Sequence, residues 1–146
     1  MSFSLTLTAA RLVAAPRARV WRVFCRLVDW PAWHPRPVRL YQAEELEPGA
    51  EFGLYLRPLG LPVSVRARVL ESLPGRRVSW QGRMLGITSR HSFSFSDAPG
   101  GTLVESREHL QGWSLLWLRP LYSTTSLGRL AQQWLEALAA RAEAGA

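Results

Sequence analysis

The sequence predicts an α+β fold in which a curved antiparallel sheet is covered by a long C-terminal helix. Stretches of alternating apolar and polar residues, such as residues 63–69, recur between turn signals made of proline and glycine. This pattern is typical of strands joined as hairpins. The C-terminal part instead carries apolar residues at helical spacing over residues 127–138. A curved sheet must bury its concave face, and this helix is the largest predicted element that could cover it.

The N-terminal residues predict one strand and one helix, followed by a corner. Apolar and polar residues alternate over residues 2–13, as in a half-buried strand. Pro16 suits the first turn of a helix, where its missing N–H is not needed, and helical spacing continues to Leu27. The hexapeptide at residues 30–35 holds two tryptophans and two prolines. Prolines exclude a regular helix interior, so we expect a stiff aromatic corner here.

The middle of the chain predicts further strands that are separated by tight turns. An extended segment follows the corner over residues 38–47, and a turn falls at residues 48–49. Turns are also expected at residues 58–62, 73–75 and 98–101, where proline and glycine cluster. The strands are predicted at residues 51–57, 63–69, 77–82, 86–95 and 102–111.

The C-terminal part predicts an irregular or broken helical start at residues 113–121 and then a long helix that ends near Arg141. Its apolar stripe consists of Leu127, Leu130, Ala131, Trp134 and Leu138. Residues 142–146 are expected to fray. A helix that covers the concave face of a curved sheet cannot fill the space between them completely. An elongated apolar cavity is therefore expected between helix and sheet, and small-molecule sites form in such cavities.

Composition fits a single domain over residues 1–146, because a chain with 47% hydrophobic residues can build a core of its own. Cys25 is the one cysteine, which excludes an internal disulfide and a cysteine metal cluster. We expect it to be a small buried hydrophobe. The three histidines show no metal-ligand spacing, so neither a metal nor a cofactor is predicted.

The net charge of +7 is a weak indication of nucleic-acid binding. All 18 basic residues are arginines that are spread along the chain, and no recognition-helix motif accompanies them. We therefore predict no nucleic-acid partner. The apolar runs are shorter than the roughly 20 residues of a membrane span, and the N-terminus carries no signal pattern. No stable membrane insertion and a cytoplasmic location are expected.

Three stretches of the sequence, taken together, carry a resemblance to a known superfamily. They are residues 15–35, which end in Trp-Pro-Ala-Trp-His-Pro, the Pro-Gly turn with its aromatic strand start at residues 48–52, and residues 69–102. Over nearly its whole length the chain resembles START-like helix-grip domains, the SRPBCC superfamily with its polyketide cyclase and dehydrase-like members. The resemblance implies two short helices after the first strand. It leaves function open, because this superfamily holds lipid carriers, receptors, aromatic cyclases, quinone-binding proteins and chaperone activators.

His91 is the first candidate for a site residue. Alternation places it on one strand face with Ile87, Phe93 and Phe95, so we expect it to point inward. A histidine there could orient a ligand carbonyl or hydroxyl, or move a proton near neutral pH. An ordinary buried histidine, bonded to a neighbour, is the competing interpretation.

The remaining candidates for ligand binding are mostly aromatic. Aromatic residues on strands and around the corner are expected at the cavity wall, and those before the long helix are expected at its entrance. These candidates are Trp80, Phe93, Trp33, Trp117 and Tyr122. Arg83 joins them as an anion clamp if Gly82 and Gly86 allow a bulge. His34 is expected to be exposed or to act as a local cap.

The last strand carries charge on both faces, at Glu105, Arg107, Glu108 and His109. Alternation groups Glu108 with Val104 and Leu110, but it leaves open which face is inward, and a surface location is expected. A buried Glu108 would need a partner.

We expect the protein to bind or transport a hydrophobic or aromatic small molecule, such as a lipid, a quinone or a polyketide-like compound. Binding is expected rather than turnover, because the sequence displays no acid–base pair. A cyclase or dehydratase that uses His91 with an arginine or Tyr122 is the first alternative. A protein-interaction module with an exposed patch at Trp113 and Trp117 is the second, and that patch could also support a homodimer.

Overall fold

The computed structural model describes residues 3–56, 63–117 and 124–144. It contains seven strands and four α-helices in these residues, together with one short 3-10 helix at Leu27–Asp29. The strands are β1 (Ser4–Val13), β2 (Val38–Leu40), β3 (Glu51–Leu56), β4 (Val63–Leu73), β5 (Arg77–Met84), β6 (Ile87–Ala98) and β7 (Gly101–Gln111). The helices are α1 (Arg17–Cys25), α2 (Trp30–Trp33), α3 (Ser114–Trp117) and α4 (Thr124–Glu143).

The seven strands form one antiparallel sheet in the order β1-β7-β6-β5-β4-β3-β2. From β3 to β7 each strand pairs antiparallel with the next, and β1 pairs with the last strand, so the two edge strands are β1 and β2. The turn between β6 and β7 uses Gly100 at φ 91°, a left-handed conformation that glycine adopts without steric cost. With α4 on the sheet, this is the helix-grip architecture that the sequence predicts, and the prediction is confirmed.

The corner at residues 30–35 contains one helical turn. Trp30–Trp33 is α2, and Pro31 lies in its first turn, where the absent N–H has no partner to lose. The proline argument therefore excludes a longer helix but not this single turn, and the chain is extended again at His34. The indole N–H of Trp30 donates to the carbonyl of Phe24 at 2.7 Å, which fixes α2 against α1.

An aromatic cluster forms the centre of the core. Its members lie on α1, α2, three strands and α4, and each ring contacts several of the others. They are Phe24, Trp30, Phe52, Trp80, Phe93 and Trp134. Since rings from opposite ends of the chain meet here, α4 is held against the concave face of the sheet. Cys25 is buried beside this cluster, and burial raises the pKa of its thiol to about 12, as for an inert hydrophobe.

The end of α4 is tied to the rest of the domain. Fraying is expected from Ala142 onward, whereas Ala142 is buried and its carbonyl accepts a 2.6 Å hydrogen bond from Nε of Arg19. The Glu143 carboxylate accepts the backbone N–H of Ala14 at 3.0 Å. These tertiary bonds, which local sequence does not display, extend the ordered helix. None of the helices in the described residues is long and apolar enough to cross a membrane.

Candidate functional site

A cavity of about 140 Å³ lies between the concave face of the sheet and α4. Three groups of residues line it: the loop before β2, the inward faces of β3 to β7, and one face of α4. They are His34, Pro35 and Arg36; Leu54, Val65, Ala67, Trp80, Gly82, Met84, Ile87, Ser89, His91, Glu108 and Leu110; and Leu130, Ala131 and Trp134. Most of these side chains are apolar, so the cavity favours an apolar ligand with few polar groups.

The strand period determines which residues reach this cavity. On β5, Trp80, Gly82 and Met84 share the inward face because successive side chains alternate across a strand. Gly82 contributes space, since a Cβ atom at this position would lie 2.8 Å from Cγ1 of Val65. The two large rings that face the cavity, Trp80 and Trp134, have centroids 5.6 Å apart and stack at 29°.

A row of polar side chains crosses β6 and β7 at one side of the cavity. Nε2 of His91 lies 2.6 Å from Oγ of Ser106, and Nδ1 of His91 lies 3.5 Å from Oε2 of Glu108. The Ser89 hydroxyl donates to the same carboxylate oxygen at 2.9 Å. This row places a carboxylate and an imidazole side by side at the cavity wall, whereas the sequence displays no such pair.

The protonation state of His91 follows from its surroundings. Burial lowers the pKa of His91, and the nearby Glu108 carboxylate opposes that shift without overcoming it. The imidazole is therefore neutral at pH 7 and can both donate and accept a hydrogen bond. A ligand hydroxyl at this position meets a strong acceptor in the Glu108 carboxylate.

A second polar group lies at the loop before β2, toward the other edge of the sheet. The ring of His34 contacts Trp134 with centroids 4.3 Å apart. Its Nδ1 accepts the backbone N–H of Arg36 at 3.0 Å, which is the local cap expected from the sequence. The same ring also lines the cavity. Burial lowers the pKa of His34 to about 3, so this ring is neutral in the physiological range.

Two of the candidate ligand-binding residues, His91 and Trp80, lie in the cavity lining. Phe93 is fully buried beneath His91, with ring centroids 4.4 Å apart, so it supports the site from the core. Trp33 is half-buried and packs against Trp30, with centroids 6.1 Å apart, just outside the lining.

The other candidates lie away from the cavity or outside the described residues. Arg83 is exposed, because the β5–β6 pairing is regular from Arg77 to Met84 and contains no bulge that could turn Arg83 inward. The Trp117 side chain is 74% exposed on α3. Tyr122 lies outside the described residues. A homodimer through the exposed Trp113 and Trp117 stays a prediction.

The orientation of the last strand is settled by its partners. Ser106 and Glu108 face inward toward His91, while Glu105 and Arg107 are exposed. His109 accepts or donates a 3.0 Å hydrogen bond with Thr6 on the outer face. The expected surface location is therefore wrong for Glu108, because its partners Ser89 and His91 satisfy the carboxylate at the cavity wall. Across the described residues, no group of three or more metal-ligating side chains is placed to hold a metal ion.

Solved structures with the same fold come from several organisms. A protein from Chromobacterium violaceum is 19% identical, with 94% of this chain and 96% of that chain covered and a TM-score of 0.74. A hypothetical protein from Helicobacter pylori is 16% identical, with 94% and 88% covered and a TM-score of 0.76. Norcoclaurine synthase from Thalictrum flavum, in complex with dopamine and hydroxybenzaldehyde, is 12% identical, with 99% and 90% covered and a TM-score of 0.76. At these identities the similarity shows the fold alone.

A search of curated proteins gives no significant match. The family described as polyketide cyclase / dehydrase and lipid transport matches residues 4–143, which is nearly the whole chain. Its range includes every strand and helix that builds the cavity. The chain belongs to the polyketide cyclase / dehydrase and lipid transport family.

Proposed function

We propose that this protein binds a small molecule with one aromatic ring in the cavity between the sheet and α4. The observation that carries the proposal is the cavity itself, with its apolar lining and the two indole walls of Trp80 and Trp134. Aromatic walls favour offset-stacked or edge-to-face contacts with a ring. The helix-grip fold of the family is suited to ligand binding at this place.

The size of the cavity sets the size of the ligand. An engineered apolar cavity of about 150 Å³ in another protein takes up benzene, and the cavity here measures about 140 Å³. One ring with short substituents therefore fits, whereas a lipid chain or a fused polyketide requires the helix and sheet to separate. Norcoclaurine synthase shares the fold and has been solved with dopamine and hydroxybenzaldehyde, which supports this ligand class by analogy.

The expected affinity follows from buried area. A ring that buries about 150 Å² of apolar surface gains about 4 kcal/mol at 25 cal/mol per Å², which corresponds to a Kd near 1 mM. A hydroxyl that donates to the Glu108 carboxylate adds about 1.5–3 kcal/mol. A phenol with one apolar substituent is therefore expected to bind with a Kd of roughly 10–100 µM.

The test is a calorimetric titration of the protein with 4-ethylphenol. The Glu108→Gln variant is titrated with the same compound for comparison. Binding of one molecule per chain, weakened about tenfold in Glu108→Gln, supports the proposal. A titration of oleate and of a long-chain quinone runs in parallel. If these bind tightly while 4-ethylphenol shows no heat up to several millimolar, the single-ring proposal is overturned.

A second candidate function, an acid–base enzyme of the cyclase or dehydratase type, is favoured by the Glu108–His91 pair. The carboxylate can take a proton from carbon of a bound substrate, and the resulting Glu108 carboxylic acid can return that proton to the leaving hydroxyl, which departs as water, while the neutral His91 ring holds Glu108 in place. The measurement is mass spectrometry of a ligand extracted from protein purified from its own host, before and after renewed incubation with the protein. Loss of one water, abolished in Glu108→Gln with binding retained, identifies an enzyme. An unchanged ligand identifies a carrier.

A further inference from the structure

Four buried side-chain nitrogen atoms in the described part of the chain have no hydrogen-bond partner there. They are Nε1 of Trp33, Nε2 of His34, Nε of Arg36 and Nε1 of Trp134. The residues lie together, because the His34 ring is 4.3 Å from Trp134 and 6.0 Å from Trp33 between centroids, and the backbone N–H of Arg36 donates to Nδ1 of His34 at 3.0 Å. Native proteins leave few buried polar groups unpaired, and each one costs free energy. Four unpaired nitrogen atoms at one place indicate that a ligand binds there.

Every atom in this donor cluster offers a hydrogen. The indole and guanidinium N–H groups of Trp33, Trp134 and Arg36 can only donate. In His34, Nδ1 lies 3.0 Å from the backbone nitrogen of Arg36 and 3.2 Å from its carbonyl oxygen. Because the backbone N–H can only donate, Nδ1 of the neutral ring accepts it, and the ring proton is assigned to Nε2. Burial lowers the pKa of His34 to about 3, so the ring is neutral at pH 7. The cluster therefore selects a ligand group that is purely an acceptor.

The positive charge of Arg36 favours a negatively charged acceptor group on the ligand. Three of the four residues, namely His34, Arg36 and Trp134, line the cavity. Nη2 of Arg36 donates to Oε1 of Gln133 at 3.2 Å, and the guanidinium has further N–H groups for a ligand. Charge-assisted bonds from arginine to a carboxylate are stronger than bonds to a neutral carbonyl. A carboxylate is the acceptor that this set of donors fits best.

The sheet order separates His34 and Arg36 from the acidic group, and Trp134 lies between them, since its ring contacts both His34 and His91 at 4.3 and 5.6 Å between centroids. Glu108 lies on β7, next to the β1 edge, whereas residues 34–36 immediately precede β2 at the opposite edge. A carboxylate beside Glu108 would be repelled, while a hydroxyl there would donate to it. The two ends of the cavity therefore require opposite groups, and this fixes the orientation of a ligand that carries both.

We propose that the ligand is a hydroxylated aromatic carboxylic acid. Its carboxylate lies against His34, Arg36 and Trp134, and its hydroxyl lies against Glu108. This inference rests on the proposed function, because it assumes a ring in the cavity, and it adds the two substituents and their places. No covalent step is involved.

The test compares two ligands of similar shape in calorimetric titrations. The acid is 4-hydroxybenzoate, and 4-ethylphenol replaces its carboxylate by an apolar group. The expected result is at least tenfold tighter binding of 4-hydroxybenzoate by the natural protein. Arg36→Met and His34→Phe are each expected to weaken 4-hydroxybenzoate about tenfold and 4-ethylphenol less than twofold. Arg129→Met, which removes the charge of an exposed arginine on α4, is the matched control and should change neither.

The outcomes separate failure of the carboxylate proposal from failure of the proposed aromatic-ring binding. Equal binding of both ligands, unchanged in Arg36→Met and His34→Phe, overturns the carboxylate proposal and leaves the aromatic cavity standing, with water as the partner of the donors. Failure of both ligands to bind overturns the proposed function and this inference with it. If a variant does not fold, as judged by circular dichroism, the comparison of the two ligands on the natural protein still decides.

Discussion

Filling the cavity from α4 tests its existence without any ligand. Ala131 lines the cavity, and Ala131→Leu adds three carbon atoms to that wall. At about 24 cal/mol per Å³, a cavity of about 140 Å³ corresponds to about 3 kcal/mol of lost packing. If leucine fills about half of this space, the free energy of unfolding rises by about 1.5 kcal/mol. For a domain of this size, that change raises the Tm by about 5 °C.

The assay is thermal and urea unfolding of the natural protein, of Ala131→Leu and of Ala140→Leu. Ala140 is exposed on the same helix, so its leucine variant controls for helix propensity and should change stability by less than about 0.5 kcal/mol. Ala131→Leu must also abolish binding of 4-ethylphenol. The sign of the stability change is decisive, because leucine forced into a packed core destabilises by about 1–3 kcal/mol. A destabilised Ala131→Leu variant that still binds the phenol would refute the cavity.

Three further predictions concern the polar groups and the corner. The Glu108→Gln variant, which lacks the carboxylate, should bind phenols about tenfold more weakly in calorimetry, with an unchanged circular dichroism spectrum. An unchanged Kd would show that Glu108 does not contact the ligand. His34 has a folded-state pKa of about 3, below its unfolded value near 6.5, so its contribution to stability is complete above pH 6.5 and is lost as the pH falls toward 3. This loss is about 1.4 kcal/mol per pH unit. Measured by urea unfolding between pH 7 and 4, the free energy of unfolding should therefore fall less steeply with falling pH in His34→Phe than in the natural protein. Identical slopes would contradict the lowered pKa. His91, whose pKa burial also lowers, adds to the slope that remains. Trp30→Phe leaves the buried carbonyl of Phe24 without its 2.7 Å donor and should destabilise by about 2–3 kcal/mol in urea unfolding, and a loss below 0.5 kcal/mol would show that this bond does not hold α2.

The fold could be predicted because its signals are local. Alternation within strands, proline–glycine turns and the helical stripe of α4 are each contained in about ten residues. The Glu108–His91 pair could also have been found. The predicted turn at residues 98–101 places Ala98 opposite Gly101, and counting back along the antiparallel hairpin places His91 opposite Glu108. An inward His91 therefore requires an inward Glu108.

The donor cluster could not be found in the same way. His34 and Trp134 meet because α4 packs on the loop before β2, a contact between residues that are far apart in the chain. Nothing in the Trp-His-Pro sequence displays that contact, so an exposed or locally capping His34 was the natural expectation. Arg83 was proposed on the assumption of a bulge, and bulges depend on pairing across the sheet rather than on glycine content. The cavity-facing position of the His34 ring and the outward position of Arg83 both depend on tertiary contacts that local pattern does not encode.

The most direct test of the aromatic cavity is a ¹H–¹⁵N spectrum of the seven tryptophan indole groups during a titration with 4-hydroxybenzoate, with signals assigned by single Trp→Phe variants. We predict that the signals of Trp80 and Trp134 shift and saturate together, because both rings line the cavity. The Trp134 N–H should move downfield as it gains an acceptor. The exposed Trp113 and Trp117 should not move. Shifts confined to Trp113 and Trp117, or no shift of Trp80 and Trp134 at several millimolar ligand, would contradict binding in the cavity.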